Sequence, residues 1–230
     1  MRTVAIVPAR GGSKGILRKN LQPLAGKPLV AWSIAAGLGA RLVDATYVST
    51  EDAEIAGVAA AAGARVIARP SELASDTAQN DAVMRQALDA IRAEGHAPDT
   101  VVLLQPTSPL RHAKHVDGCI EAYRRAGAAS AMSVCAVDYH PGKAVVLAGG
   151  LIEPFTSDHD MEARRQDLVR AYRQNGAIYV VGVADFLAHG RLYRRPCAAY
   201  EMDRALSIDI DEPLDLKLAE MLMSKAGGGQ

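Results

Sequence analysis

Residues 3–20 read TVAIVPARGGSKGILRKN. The short apolar run before Pro8 fits a buried strand. It opens into a loop with Gly11, Gly12 and Gly15, four bases (Arg10, Lys14, Arg18, Lys19) and no acid. The next segment, PLVAWSIAAGL (28–38), has the length and composition of a helix. Strand, loop and helix make the first half of a β-α-β unit, whose second strand returns parallel to the first.

The rhythm continues outward from that stretch. ATYVST (45–50) reads as a strand, EDAEIAGVAAAAG (51–63) as an alanine-rich helix closed by Gly63, and ARVIARP (64–70) as a strand. A helix is expected over 79–95, a strand in DTVVLLQP (99–106), a helix over 112–127 ending at Gly127, and a strand in SAMSVCAV (130–137). Such alternation predicts a three-layer α/β fold: a mostly parallel sheet with helices on both faces. The alternation breaks over 138–174, where AVVLAGGLIEPF (144–155) suggests a hairpin around Gly149-Gly150 and TSDHDMEARRQD (156–167) is polar. This stretch is expected to be an arm or lid inserted in a single domain spanning 1–230. Strands resume at GAIYVVG (176–182) and ALSIDID (205–211), and EPLDLKLAEMLMSK (212–225) closes the chain as a helix.

The charges are informative in their order, not their sum. Twenty-six Lys and Arg balance 26 Asp and Glu. A net charge of zero argues against a general nucleic-acid or anionic-membrane binder. Yet no acid precedes Asp44, while seven bases do, and Asp203, Asp209, Asp211, Glu212 and Asp215 crowd the end. A fold that joins the first loop to the last acids would suit a ligand that is anionic and needs a metal. Three scattered cysteines fit no zinc spacing and suit a reducing cytoplasm. No leader-like segment or membrane span is read, so a cytoplasmic protein is expected.

In an open α/β sheet, ligands bind beyond the carboxyl ends of the strands. The loop after the first strand lies there, and its glycines let backbone N–H groups approach an oxyanion. It is neither a P-loop nor a GxGxxG loop: the GK pair nearest to it, Gly26-Lys27, is followed by Pro28. In SIDID (207–211), Asp209 and Asp211 are two apart on an expected strand and so share a face. Two such carboxylates repel without a cation, and their hard oxygens suit Mg²⁺; alternatively, Asp211 merely caps the final helix.

The loop ARGGSKGILRKN resembles the signature of the acylneuraminate cytidylyltransferases, the CMP-sialic acid synthetases. RPSELASDTA (69–78), LLQPTSPLR (103–111), HPGK (140–143), RRQDLVRAYRQNGAIYV (164–180) and SIDIDEPLDL (207–216) resemble the family's other motifs, in its order. The resemblance implies a nucleotide-diphospho-sugar transferase-like fold and transfer of CMP from CTP to the anomeric hydroxyl of a sialic acid such as N-acetylneuraminate, releasing pyrophosphate.

It further implies roles. Arg10, Lys14 and Lys19 would neutralise the triphosphate, with Ser13, Asn20, Arg69 and Asn80 at the nucleotide; Asn80 stands where members often carry serine. Asp209 and Asp211 would hold magnesium, with Asp211 accepting the proton. Gln105, Thr107 and Tyr179 would face the sugar. The insertion would be a dimerisation arm carrying Lys143, Arg165 and Gln166 to the partner's site in a homodimer. Where members show paired aromatics, this chain has Leu192 and Tyr193, which bears on the acyl groups accepted. Alternatives are a relative acting on legionaminic or pseudaminic acid, an eight-carbon Kdo-type acid, or a non-catalytic nucleotide-binding dimer.

Overall fold

The computed structural model describes residues 2–13, 15–75 and 80–227. Lys14 and residues 76–79 of the RPSELASDTA motif lie outside the described residues. Strand β1 (Thr3–Pro8) leads through the glycine-rich loop and a small hairpin, β2 (Pro23–Leu24) with β3 (Lys27–Pro28), into helix α1 (Leu29–Leu38). There follow β4 (Ala45–Thr50), α2 (Ala53–Ala61), β5 (Arg65–Ala68), α3 (Asn80–Ala93), β6 (Thr100–Leu103), α4 (Ala113–Ala126) and β7 (Ser130–Ala136).

Among the described residues, seven strands form the main sheet. Their order is β11-β7-β10-β6-β1-β4-β5, with β10 (Tyr172–Gly182) and β11 (Cys197–Glu201) completing it. All neighbours are parallel except β10, which runs antiparallel between β6 and β7. The mostly parallel, two-faced sheet expected from the alternation is therefore present.

Within the strands, side chains alternate between two cores. Val4 and Ile6 pack on α3 and α6 (Val183–His189) through Met84, Leu88 and Phe186, while Ala5 and Val7 face α1, α2 and α4 through Ile34, Ile55 and Ile120. A strand covered on both faces must be apolar throughout, which is why β1 and β6 read as unbroken hydrophobic runs. A third cluster joins Leu24, Leu29, Leu110 and Ile210 to the last helix, α7 (Pro213–Gly227).

Two expectations need correction. ALSIDID is not a strand. After a short 3-10 turn at Arg204–Leu206 the chain joins no ladder, and it is tied to its neighbour by the Ile210 N–H donating to the Thr107 carbonyl at 2.7 Å. Ser207 and Ile210 are buried while Asp209 and Asp211 face outward, so part of a strand's alternation survives without a partner strand. In addition, β11 was not anticipated: CAAYE is a half-exposed edge strand without an apolar run.

Between β7 and β10 the chain leaves the sheet. Strands β8 (Val145–Ala148) and β9 (Leu151–Pro154) pair antiparallel around Gly149 and Gly150, both at positive φ, as an inverse turn requires. One short helix, α5 (Asp158–Glu162), follows.

Candidate active site

The loops after β1, β5 and β6 meet the 207–212 segment at the carboxyl edge of the sheet, around a cleft of about 540 Å³. Of the residues singled out from sequence, Arg10, Ser13, Lys19, Asn20, Arg69, Asn80, Gln105, Thr107 and Asp211 line it.

The basic loop is held from both sides. Ser13 Oγ donates to the Ile16 carbonyl and accepts from the Lys19 N–H at 3.1 Å. The buried Asn20 amide donates to the Arg10 carbonyl at 2.8 Å. The Gly11 N–H donates to Glu51 at 2.7 Å, and Arg18 pairs with Asp52 and Glu54 at 2.9 and 3.1 Å. Arg18 is thereby turned to α2, so the four bases of the loop do not share one task.

Lys19 spans the cleft mouth. Its Nζ donates to the Ile210 carbonyl at 2.6 Å and to Asp211 Oδ1 at 3.0 Å. The juxtaposition invited by the charge order is thus formed: the acid-free start of the chain touches its acidic end. Deeper in the wall, Arg69 is 7% exposed and donates to Ser49 Oγ at 3.2 Å and to the Ser49 carbonyl at 2.6 Å. Burial lowers its pKa, and the Glu51 carboxylate opposes that effect.

Asp209 lies beside Thr107, and a Cβ on Gly176 would lie 3.8 Å from its Oδ2. Although the residue reaches solvent, its carboxyl is pushed above the usual range, first by desolvation. The hydrogen bond to Thr107 opposes this shift, the Asp211 charge adds to it, and Lys19 and Arg173 oppose it. Among the described residues no cluster of three or more His, Cys, Asp or Glu is built as a protein cage for a metal. Two mutually repelling carboxylates beside a cleft lined by Arg10, Lys19 and Arg69 fit the other mode, in which Mg²⁺ takes one or two carboxylates, several waters and substrate phosphate.

The residues expected to face a sugar divide. Gln105 and Thr107 sit on a loop stiffened by Pro106 and Pro109, opposite the basic loop. Tyr179, on β10, packs against the core beside α3 and α6, and burial followed by the Asp209 charge raises its phenol pKa. Four others lie away from the cleft within one chain. Lys143 Nζ donates to the Met161 carbonyl at 2.6 Å and to that of Ala163. The Arg165 guanidinium stacks over Tyr139 at 5.8 Å, and Gln166 is exposed beside it. Tyr193 is on the outer edge near β11, its hydroxyl accepting from Arg195 at 2.9 Å. Sequence reading missed Glu212, which also lines the cleft; its place directly after Asp211 was the available signal.

A family model described as cytidylyltransferase matches residues 4–227. An N-acylneuraminate cytidylyltransferase of Escherichia coli O18:K1:H7 is 30% identical over 227 residues, covering 98% of this chain and 53% of that protein. The chain thus spans about half the length of that relative. A CMP-N,N'-diacetyllegionaminic acid synthase of Legionella pneumophila is 33% identical over 228 residues, with 97% of each chain covered. The solved structure of a CMP:2-keto-3-deoxy-manno-octonic acid synthetase complexed with CTP superposes with a TM-score of 0.73 at 17% identity, covering 98% of this chain and 100% of that one; at such identity the likeness concerns the fold. Arising from a seven-stranded sheet, a basic loop and a paired-aspartate segment in the expected order, the match leaves one conclusion: the chain belongs to the cytidylyltransferase family, alongside the acylneuraminate enzymes.

Proposed function

We propose that the protein is a CTP-dependent N-acylneuraminate cytidylyltransferase, making CMP-sialic acid and pyrophosphate. The observation that carries this reading is Lys19 reaching across the cleft to the Ile210 carbonyl and Asp211, which sets a cation of the basic loop against the aspartate segment. In this reading Arg10, Lys14 and Lys19 neutralise the triphosphate, while Ser13, Asn20, Arg69 and Asn80 shape its nucleotide end. Gln105, Thr107 and Tyr179 orient the acid sugar so that its anomeric hydroxyl faces the α-phosphorus. The hydroxyl oxygen bonds to phosphorus, the bond to the pyrophosphate oxygen breaks, and the proton passes to Asp211. Such transfer depends mainly on positioning and charge neutralisation. Asp209 and Asp211 would hold Mg²⁺, which when bound supplies further neutralisation of phosphate charge.

The reading includes a homodimer built through the 138–174 arm. Support comes from the hairpin's exposed apolar side chains: Leu147, Leu151, Ile152 and Phe155 are 75, 73, 66 and 64% exposed. Four exposed apolar side chains gathered on one hairpin suit an interaction surface. A second copy seated there would bring Lys143, Arg165 and Gln166 toward a neighbouring cleft. A cytoplasmic setting goes with this reading, and all three thiols are free.

The full-length match to a legionaminic acid synthase favours one second reading, the same reaction on a legionaminic-type acid. Pyrophosphate release from CTP and Mg²⁺ is the test, with N-acetylneuraminate, a legionaminic acid, a pseudaminic acid or no acid, each with and without EDTA. Release with N-acetylneuraminate that EDTA abolishes is expected. Release with another acid alone replaces the substrate, and CTP binding without release under any condition refutes the enzymatic reading.

A further inference from the structure

Arg111 is the largest side chain that is fully buried among the described residues. It stands at the end of the loop following β6, just before α4, and the cleft residues Gln105 and Thr107 lie on the same loop. Its Nη1 donates to the Ser108 carbonyl, and its Nη2 donates to the Gln105 carbonyl and, at 2.8 Å, to Ser33 Oγ on α1. No carboxylate pairs with it among the described residues, its Nε is buried without a partner, and burial alone pushes its pKa down to about 9.

Burying a guanidinium with no counter-charge is costly, and for packing alone an apolar chain of similar volume does as well or better. What the apolar chain cannot do is fix two carbonyls three residues apart with one rigid fork. The remaining loop contacts complete the bracing. Thr107's carbonyl accepts from the Ile210 N–H at 2.7 Å, and Ser108 Oγ donates to the Asn175 carbonyl at 3.0 Å. The loop is thus tied to α1 through Arg111 and Ser33, to β10 through Asn175 and to the aspartate segment through Ile210.

We propose that Arg111 is a positioning residue for the reaction: it never reaches the cleft, but its fork sets the backbone of residues 105–108 so that Gln105 and Thr107 present their side chains to the acid sugar in register with Asp209. This rests on the cleft being the active site.

The test compares Arg111→Met, which keeps length and loses the fork, with Arg111→Lys, which keeps the charge and can serve only one carbonyl well. Arg111→Met is expected to stay folded and lose about 10²-fold in kcat, the scale of a 1 Å misplacement. The KM for the acid rises and the KM for CTP moves less than roughly threefold. Arg111→Lys falls between. Hydrogen exchange at the Ser108 and Ile210 amides should quicken while that of β4 stays slow, which a general loss of stability would not produce. A folded Arg111→Met with wild-type kcat, wild-type KM for the acid and unchanged exchange overturns the inference. If Arg111→Met does not fold, Arg111→Lys and Ser33→Ala decide by the same readouts, and wild-type behaviour in both overturns it. If the wild-type chain itself transfers no cytidylyl group, the functional proposal fails, and local exchange in the variants still judges the brace.

Discussion

The contact most exposed to a simple test is the one between the basic loop and the aspartate segment. A Cβ built on Gly15 would lie 2.3 Å from the Asp211 carbonyl oxygen. Ordinary carbon-to-oxygen contacts lie near 3.3 Å, so Gly15→Ala must drive the two segments apart by about 1 Å. The Lys19 bonds to Ile210 and Asp211, now 2.6 and 3.0 Å, cross that same gap. Lengthened by about 1 Å, they leave the hydrogen-bonding range. In stability the loss of the pair itself is on the order of 1 kcal/mol, because Asp211 remains 72% exposed although Lys19 is only 14% exposed. In turnover the loss should be about 10²-fold, since a 1 Å error in placing reacting groups is of that order. The assay is steady-state pyrophosphate release alongside a thermal melt. Gly57→Ala is the control: Gly57 sits inside α2 with nothing within 4 Å of its added Cβ, so it should gain up to about 1 kcal/mol and keep full turnover. Gly15→Ala with turnover within twofold of wild type would refute the claim that the two segments must meet in this register.

Other expectations can be checked in the same preparations. At Gly176 φ is +73°, and a Cβ would approach Gln105 Oε1 to 2.9 Å and Ser108 Oγ to 3.1 Å. Gly176→Ala should therefore cost about 1–2 kcal/mol for the left-handed backbone and raise the KM for the acid more than that for CTP; an unmoved acid KM would remove Gln105 from the sugar site. His115 Nδ1 accepts the His112 N–H at 3.0 Å, and burial, then the charges of His112, Lys114 and Arg111, lower its pKa from 6.5 to about 4. Between those values the unfolded chain binds more protons, so stability falls as pH drops through 6.5 and levels off below about 4. At pH 5 the loss relative to pH 7 is about 2 kcal/mol, which His115→Gln should largely abolish in urea titrations at the two pH values.

Much of this arrangement is legible in the chain because it is local. Buried parallel strands must be apolar on both faces, so β1 and β6 declare themselves; Gly127 ends α4 in the left-handed conformation that its position after the last apolar residue suggests. The direction of β10 is not local. GAIYVVG looks like any buried strand, and its antiparallel pairing with β6 and β7 depends on a long return through the arm. SIDID misleads for a related reason: its alternation is that of a strand, but strandhood needs a neighbour, and the loop beside it offers one carbonyl. The cleft residues were found where charge, glycine or proline departs from what a core needs. Arg111 was not singled out, since a terminal arginine in QPTSPLR looks like a surface residue until its burial is seen.

The sheet order also sets a timetable for synthesis. β10 lies between β6 and β7 in space but follows both in the chain. As the polypeptide emerges from its amino end, the block β6-β1-β4-β5 has all its strands once Leu103 is made, whereas β7 has no neighbour until β10 arrives. A nascent chain therefore holds the wall that carries Arg10, Lys19 and Arg69 well before Asp209 and Asp211 exist. Early in its life Lys19 stands on a cationic wall without its counterpart, because Ile210 and Asp211 are translated after every strand of the main sheet.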